Sequence, residues 1–409
     1  MIEITLPDAQ QFILKKQGIL TKNPDQSILD VAKRIHNIQI DTISVVARSH
    51  DLTIFTRFPK YQEKDIWKLQ EQKHVFESIS HALCLMPIDE YPFYNWLTMT
   101  YHQSPKSIYW SKWIQDNHKV IDRVYDAIKE QGALSSKDFK VPSERKSRGW
   151  WAWKSEKRAL EYLFRTGKLL IQYRKGFQKY YDLPERVLPH NVDHEPMPVK
   201  EVPDYICDKT FTSFGIGNHQ EMRCYLNSRA TRQLWDNKQG QITSFLDEKT
   251  KENFLTPVKI DSIKDTQYIR SQDIDLLKND DTISITQMHF INPFDNIIRE
   301  RSLLAKYWQF NYTLEAYTPP ANRTYGYYLM PILDGHQFIG RLEPKVHRKE
   351  HILEIKSIFF EAGYIPTQHA LERFHQGIHT FAEFHKCDQI RIGNVSPSNY
   401  KIQIESLFN

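Results

Sequence analysis

The sequence predicts an α+β protein in which tandem winged-helix (helix-turn-helix) domains are followed by a small C-terminal β-barrel. Segments with helical spacing of apolar residues are followed, twice, by short strand pairs. Beyond residue 283 the chain consists mainly of alternating strands with an Asp-Gly hairpin signal. The length of 409 residues allows several domains with cores of their own. We expect four domains, spanning residues 1–115, 116–192, 193–285 and 286–409.

The first domain combines helices with short strands. The spacing of apolar residues predicts helices at residues 8–20, 26–38, 42–49 and 89–118. Alternation predicts strands at residues 51–56, 75–79 and 81–86. Helices followed by a strand pair are typical of a winged helix, and the last helix connects this domain to the next.

The second domain shows the clearest pattern. Helices are predicted at residues 120–131, 134–139 and 155–166, with glycine stops after the first and the last. Strands at residues 169–171 and 179–182, joined by a turn at 174–178, form the expected wing.

Positive charge is concentrated in this second domain. Residues 137–186 contain 14 Lys and Arg and six Asp and Glu, a local net charge of +8, whereas the whole chain carries +5. A basic block on a nearly neutral chain is typical of a protein that binds a polyanion, although a solvated surface explains it equally well. The candidate phosphate contacts are Lys146, Arg148, Arg174 and Lys175.

The remaining elements complete the predicted fold. A third winged helix is expected from helices at residues 203–214 and 218–235 and strands at 256–260 and 268–269. The barrel is expected from strands at residues 313–317, 327–333, 338–343, 351–358 and 390–393, and a closing helix from 366–385.

The sequence lacks the motifs that are typical of several classes of function. The four cysteines, Cys84, Cys207, Cys224 and Cys387, have neither zinc nor C-x-x-C spacing, so we expect reduced thiols. There is no Gly-rich phosphate loop or metal-binding motif, and we expect no metal and no cofactor. Without a signal peptide or an apolar run of membrane-spanning length, we expect a soluble, cytoplasmic monomer.

Gln39 and Asp41 form a polar pair around one apolar residue, Ile40. Residues two apart share a face only on an extended segment. If both act on one substrate, they must lie in an extended connector with Ile40 turned into the core. The alternative is that Asp41 or Thr42 caps the next helix, which is the commoner use of such residues.

The segment from Tyr317 to Tyr328 contains two prolines, one Arg and several aromatic residues. Arg323 and Tyr325 at a rigid tip are suited to wedging into a DNA groove and separating base steps. The alternative is a packed hairpin, which suits Tyr327 and Tyr328 better because they alternate into a strand.

Four separated stretches of the chain resemble a known protein family. They are residues 39–46 followed by Arg48 and His50; residues 150–163; residues 176–186; and residues 292–296 with the later 325–328. In these stretches the sequence resembles the YcaQ-like winged-helix DNA glycosylases, a crosslink-repair family related to the azinomycin-resistance glycosylase. The resemblance covers nearly the whole chain.

The resemblance implies three tandem winged helices and a β-barrel bent around duplex DNA that carries alkylated or crosslinked guanine. It implies base excision of N7-alkylated guanine and unhooking of interstrand crosslinks, with Gln39 and Asp41 as catalytic residues and Arg48 and His50 as DNA contacts. It also implies association with the nucleoid. One departure is Asp51, where a second His is expected. A non-catalytic winged-helix regulator and a partner-binding protein with a basic wing are the alternatives.

Overall fold

The structure is a computed structural model, which describes residues 1–20, 27–100, 105–139, 155–225, 231, 234–235, 239–278 and 285–408. The side chains of residues 105–109, 224–225 and 239 lie outside this description. The predicted phosphate contacts Lys146 and Arg148 lie outside the described residues as well.

Helices and strands alternate along the chain. The α-helices are α1 (Leu6–Lys16), α2 (Ile28–Ile35), α3 (Ser49–Arg57), α4 (Asp65–Glu71), α5 (Tyr91–Met99), α6 (Pro105–Gln131), α7 (Ser155–Arg165), α8 (Pro184–Val187), α9 (Val202–Ser213), α10 (His219–Tyr225), α11 (Gln239–Lys251), α12 (Ile274–Lys278), α13 (Asn296–Arg299), α14 (Arg301–Trp308), α15 (Gln368–Phe384) and α16 (Lys401–Glu405). The strands are β1 (Ile2–Ile4), β2 (Ile38–Gln39), β3 (Val75–Ile79), β4 (Leu83–Pro87), β5 (Leu170–Lys175), β6 (Gln178–Asp182), β7 (Leu255–Ile260), β8 (Gln267–Arg270), β9 (His289–Phe290), β10 (Met330–Asp334), β11 (Gln337–His347), β12 (Ile352–Phe360) and β13 (Gln389–Ser396).

The ends of several helices follow from local sequence. The Thr5 and Asp8 side chains form a reciprocal capping box at the start of α1. The Thr367 hydroxyl accepts a hydrogen bond from the Ala370 N–H at the start of α15. Gly167 follows α7 with a φ of 72°, a left-handed conformation that suits glycine. The helices predicted at these three places are confirmed.

Contacts divide the chain into two compact units. The first contains Met1–Tyr61, Thr210–Glu221 and Thr243–Asn409, and the second contains Gln62–Lys209 and Met222–Ile242. The four-domain division remains a prediction. No helix in the described residues has the length and apolar character required to cross a membrane.

In the described residues, two sheets lie wholly within the first unit. One has the order β1-β7-β8, in which β1 is parallel to β7 and β8 is antiparallel to it. The other has the order β13-β12-β11-β10-β9, in which β12 and β13 are parallel and the remaining pairs are antiparallel. The predicted hairpin at Asp334-Gly335 joins β10 and β11, as expected.

The predicted C-terminal barrel is not confirmed, because this five-stranded sheet is open in the described residues. Barrel closure requires the two edge strands to pair. Here β9 has only two residues, and the apolar face packs against α15 through Phe374, Ile378 and Phe381. Gly377 permits the close approach, since a Cβ at that position would lie 2.5 Å from the Met288 carbonyl oxygen.

The second unit has a core made of α6, α7 and the β5–β6 hairpin. Its buried residues include Val124, Leu160, Leu163, Phe164 and Tyr181. The apolar positions predicted on α7 face this core, so the helix and the hairpin are confirmed. The turn of the hairpin contains only Gly176 and Phe177, both with positive φ, rather than the five residues expected.

The segment after Asp41 differs from the prediction. Residues 42–48 are not helical, and the predicted strand at 51–56 lies inside α3. Almost every residue of α3 is buried, including the polar residues that alternate with the apolar ones. Burial on all sides removes the amphipathic spacing that marks a surface helix, so the strand prediction at residues 51–56 is wrong.

Two shorter predictions are also wrong. Residues 134–139 form a turn rather than a helix, because the Asp138 carboxylate accepts hydrogen bonds from both the N–H and the hydroxyl of Ser135. Residues 313–317 do not form a strand; Glu315–Tyr317 is a 3₁₀ turn whose carboxylate binds backbone N–H groups of the same loop.

Candidate active site

The connector that carries Gln39 and Asp41 is extended. Ile38 and Ile40 are buried, whereas Gln39 and Asp41 are both half-buried. This alternation is the side-chain period of a strand, so the two polar side chains lie on one side of the backbone. The geometry agrees with the extended connector that the sequence predicts for a joint action on one substrate.

Asp41 does not cap a helix in this structure. Its Oδ1 accepts a hydrogen bond of 2.8 Å from the N–H of Ile43, two residues on, which is an Asx turn. The next helix, α3, begins eight residues after Asp41, and its N-cap residue Arg48 makes no side-chain capping bond. The turn fixes the carboxylate by one oxygen and directs the chain away from the connector.

A buried amide anchors α3 behind the connector. Asn292 is fully buried, and its Nδ2 donates to the Ser49 carbonyl at 3.1 Å and to Thr53 Oγ1 at 2.9 Å. Its Oδ1 accepts from the Tyr328 hydroxyl at 3.1 Å. Asn292 therefore ties the loop after β9, the start of α3 and the segment before β10 together.

A buried ion pair lies at the other end of α3. The guanidinium of Arg57 binds both carboxylate oxygens of Asp295, at 2.7 and 2.9 Å, and neither side chain is exposed. Arg57 also donates to the Gln17 carbonyl at 2.7 Å, and Asp295 caps α13. This bidentate pair joins α1, α3 and α13 in one rigid support.

The loop between Glu315 and Tyr328 lies near the connector, since its ends pack into the core that contains Val46. Burial raises the pKa of the Tyr328 hydroxyl well above its ordinary range, and the charges of Tyr312 and Asp41 raise it further. Partial desolvation of its hydroxyl, followed by the charge of Asp41, also raises the pKa of the largely exposed Tyr317. Both phenols therefore lie within electrostatic reach of the Asp41 carboxylate.

The chain matches the AlkZ-like DNA glycosylase family over residues 32–384. This match covers the connector, α3 and most of both units. The chain belongs to the AlkZ-like DNA glycosylase family. Membership supports a DNA glycosylase role in DNA repair, with DNA as the substrate.

The fold is similar to that of a solved member of the AlkZ-like family. The structure of Streptomyces sahachiroi DNA glycosylase AlkZ aligns with a TM-score of 0.64 and 14% sequence identity. The alignment covers 96% of this chain and all of that chain. At this identity the likeness establishes the mixed α+β fold and nothing further.

Two of the DNA contacts implied by the resemblance lie at the start of α3. Arg48 is half-buried, whereas His50 is only 1% exposed, so its ring does not face solvent. Asp51, where a second His is expected for the family, is also buried and accepts a hydrogen bond of 2.6 Å from the Tyr61 hydroxyl. Asp51 therefore contributes to the packing of α3.

The predicted wing contacts have different environments. The side chain of Arg174 is 3% exposed and binds both oxygens of the buried Glu77 carboxylate, at 2.7 and 2.6 Å. Its guanidinium also lies over the Phe177 ring at 4.5 Å, so it holds β3 to the hairpin rather than facing a phosphate. Lys175 is exposed beside the turn.

Of the candidate wedge residues, Arg323 is held by the loop itself and Tyr325 by a residue of β11. Arg323 donates to the Thr318 carbonyl at 2.9 Å and lies over the Tyr327 ring at 5.0 Å. The Tyr325 ring lies under the Arg341 guanidinium at 4.5 Å and is 39% exposed.

Tyr317 and Arg348 were not predicted as part of the site. Tyr317 is 76% exposed. The Arg348 guanidinium donates to the Val46 carbonyl at 2.7 Å. The sequence carries no local signal for the exposure of Tyr317. It carries none for the Arg348 contact either, because Val46 is far from Arg348 in the chain.

Proposed function

We propose that this protein is a monofunctional DNA glycosylase that hydrolyses the N-glycosidic bond of N7-alkylated guanine and unhooks interstrand crosslinks during base excision repair. The observation that carries the proposal is the shared orientation of Gln39 and Asp41 on an extended connector of an AlkZ-like family member. We further propose that it acts as a monomer in the cytoplasm, on the nucleoid.

Hydrolysis of the N-glycosidic bond of N7-alkylated guanine needs only one acidic residue. Alkylation at N7 makes guanine a cationic leaving group, so the enzyme need not protonate it. Asp41 stabilises the positive charge that develops on the deoxyribose and accepts a proton from the attacking water. The Gln39 amide holds that water. The acid half of the usual glycosidase pair is dispensable here.

The exposure of the connector suits a bulky lesion. A crosslinked base cannot pass into a narrow pocket of the kind that many base-flipping enzymes use. Gln39 and Asp41 are half-buried, and their neighbours Thr42 and Ser44 are exposed. We therefore propose that the site reaches the deoxyribose from the surface of the duplex.

Positive and aromatic side chains supply the proposed DNA contacts. Lys175 is the wing residue whose exposure suits a phosphate, and Arg48 lies beside the connector. Lys146 and Arg148 belong to the same basic block of the sequence. Arg323 and Tyr325 would support the loop that faces DNA rather than enter the duplex as free wedges, because their own contacts hold them. His50 would act through the packing of α3.

Product analysis on two defined duplexes tests the proposal. One duplex carries a single 7-methylguanine, and the other carries an N7-linked interstrand crosslink. We expect free 7-methylguanine, alkali-labile abasic sites and no strand cleavage before alkali. Asp193→Asn is the matched control, because Asp193 makes the same turn bond, to the Glu195 N–H at 2.9 Å, but is exposed in the second unit.

The outcomes separate the alternatives. Loss of base release with Asp41→Asn and Gln39→Ala, and not with Asp193→Asn, supports the proposal. Salt-sensitive DNA binding without any abasic product favours the regulator instead. Excision of 7-methylguanine with an intact crosslink would restrict the proposal to monoadducts.

A further inference from the structure

Tyr317 is the most exposed aromatic ring in the described residues, at 76%. It ends the 3₁₀ turn Glu315–Tyr317, and Pro319 and Pro320 follow it closely. Proline fixes φ and limits the freedom of the chain on that side. An exposed ring on a stiff backbone is a good contact surface, because little conformational freedom is lost when it binds.

The loop around Tyr317 is fixed from inside by carboxylates. Glu315 is 7% exposed and accepts hydrogen bonds from the N–H groups of Thr324, Tyr325 and Gly326 at 2.8–3.0 Å. Burial alone would raise the pKa of Glu315, but these backbone donors outweigh burial and lower it. The carboxylate therefore stays ionised and ties the start of the loop to its end.

A second carboxylate holds the end of the loop. Glu343 on β11 accepts a hydrogen bond from the Tyr327 N–H at 2.9 Å. A Cβ at Gly326 would lie 2.6 Å from the Glu343 Oε2 atom, so only glycine permits this approach. The end of the loop is thus attached to the sheet and its start to its end, while the ring of Tyr317 remains in solvent.

The loop and the connector also share one core. Val46 and Ala47, which follow Asp41, are buried in the same cluster as Tyr328, and Leu314 and Tyr327 pack against that cluster. The Tyr328 hydroxyl reaches α3 through Asn292. The position of Tyr317 relative to Asp41 is therefore fixed by packing on both sides.

We propose that Tyr317 is a specificity residue of this site, whose ring face contacts the positively charged N7-alkyl edge of the base in the groove while Asp41 faces the deoxyribose. This inference rests on the proposed function and deepens it. An N7-alkylated guanine carries a delocalised positive charge, and the face of an aromatic ring attracts a cation. An unmodified guanine is neutral, and its N7 edge gains only ordinary van der Waals contact from the same ring. Tyr317 would thus favour the lesion over the normal base.

Two substitutions distinguish the contribution of the aromatic ring face from those of the phenol hydroxyl and of side-chain volume. Tyr317→Phe keeps the ring, and we expect its kcat/KM on 7-methylguanine DNA to remain within about twofold of wild type. Tyr317→Leu keeps apolar volume without a π face, and we expect a loss of about tenfold. Phe254→Leu is the matched control, because Phe254 is an exposed ring, 36% accessible, that precedes β7 in another sheet.

A graded test removes the charge-attracting property without changing the shape. Phenylalanines with one, two, three and five ring fluorines at position 317 progressively weaken the negative potential of the ring face. We expect the logarithm of kcat/KM to fall steadily along this series, while thermal unfolding of each variant stays that of wild type. Such a gradient would not arise if Tyr317 only filled space or supported the fold.

The results that overturn the inference are distinct from those that overturn the function. If wild type releases 7-methylguanine and Asp41→Asn does not, but Tyr317→Leu matches wild type or the fluorinated series is flat, the role of Tyr317 is wrong and the glycosylase remains. If wild type releases no 7-methylguanine, both proposals fail.

Discussion

The Arg348 guanidinium donates a hydrogen bond of 2.7 Å to the carbonyl of Val46, 302 residues earlier in the chain. Arg348 begins the turn between β11 and β12. A second, longer contact of 3.5 Å reaches the Ser44 hydroxyl. The non-helical segment that follows Asp41 is therefore held from the sheet side, and Arg348 positions the connector without touching it.

We predict that Arg348→Ala lowers the single-turnover rate of base excision by about tenfold, because small displacements of a catalytic group are costly. We expect the free energy of unfolding to fall by only about 1 kcal/mol, less than a buried hydrogen bond to a charged group is worth, because Arg348 is exposed to solvent. Lys349→Ala, at the next, exposed position of the same turn, is the control. An unchanged rate with Arg348→Ala would show that the connector holds its position alone.

The buried pair of Arg57 and Asp295 predicts a large and non-additive effect on stability. Arg57→Met leaves the Asp295 charge buried without its partner, and we expect a loss of about 3–5 kcal/mol in urea unfolding. Adding Asp295→Asn removes that charge, so the double variant should be more stable than the sum of the single effects. Glu405→Gln breaks an exposed pair with Lys401 and should cost less than about 1 kcal/mol. Strict additivity would contradict the ion-pair account.

Two histidines predict a loss of stability in acid. Burial, followed by the charge of Arg348, lowers the pKa of His385 to about 3, and burial with the charge of Arg57 lowers that of His289 to about 4. Below the ordinary pKa of about 6.5, the unfolded chain therefore binds protons that the folded chain does not. The two histidines therefore leave the free energy of unfolding unchanged above pH 6.5, and they lower it as the pH drops from 6.5 towards 4.

We expect the free energy of unfolding to fall by roughly 1 kcal/mol per pH unit for each histidine between pH 6 and pH 5. His385→Leu should flatten this dependence, whereas His369→Gln should not, because the His369 side chain is 86% exposed. Chemical denaturation at a series of pH values measures the free energy of unfolding of wild type and of both variants. An equal slope in wild type and His385→Leu would show that His385 is protonated in the folded protein.

The neighbours Arg174 and Lys175 predict opposite phenotypes. Lys175→Ala should weaken duplex binding and reduce the slope of log K against log[salt] by about one, with unchanged thermal stability. Arg174→Ala leaves Glu77 buried and unpaired, so it should lower the melting temperature by several degrees. If Arg174→Ala changed only the salt dependence, its guanidinium would have to leave Glu77 and reach a phosphate.

Local signals in the sequence predicted a large part of the fold. The Gly167 stop of α7, the hairpins β3–β4 and β5–β6, and the Asp334-Gly335 turn all depend on neighbours within a few residues. The polar-apolar-polar pattern at Gln39–Asp41 left two structures open, an extended connector and a helix cap, and the structure has the connector. In each case the chemistry that sets the conformation lies within the segment itself.

The errors concern residues whose partners are distant. Three polar residues of α3, Ser49, Thr53 and Arg57, bond to Asn292 or Asp295, roughly 240 positions away, so they are buried and do not form a polar face. Arg174 is 97 residues from Glu77, and its place in a basic block suggested a phosphate contact instead. The β-sheet stays open because α15 covers its apolar face, which alternation within strands cannot show.

The most direct test of the central claim is the single-turnover rate constant for release of 7-methylguanine from duplex DNA by wild type and Asp41→Asn. The carboxylate that stabilises the sugar cation and accepts the proton of water should be worth at least about a hundredfold in this rate. We predict that loss for Asp41→Asn, with DNA binding and thermal unfolding unchanged. Equal rate constants for the two proteins would contradict the assignment of Asp41.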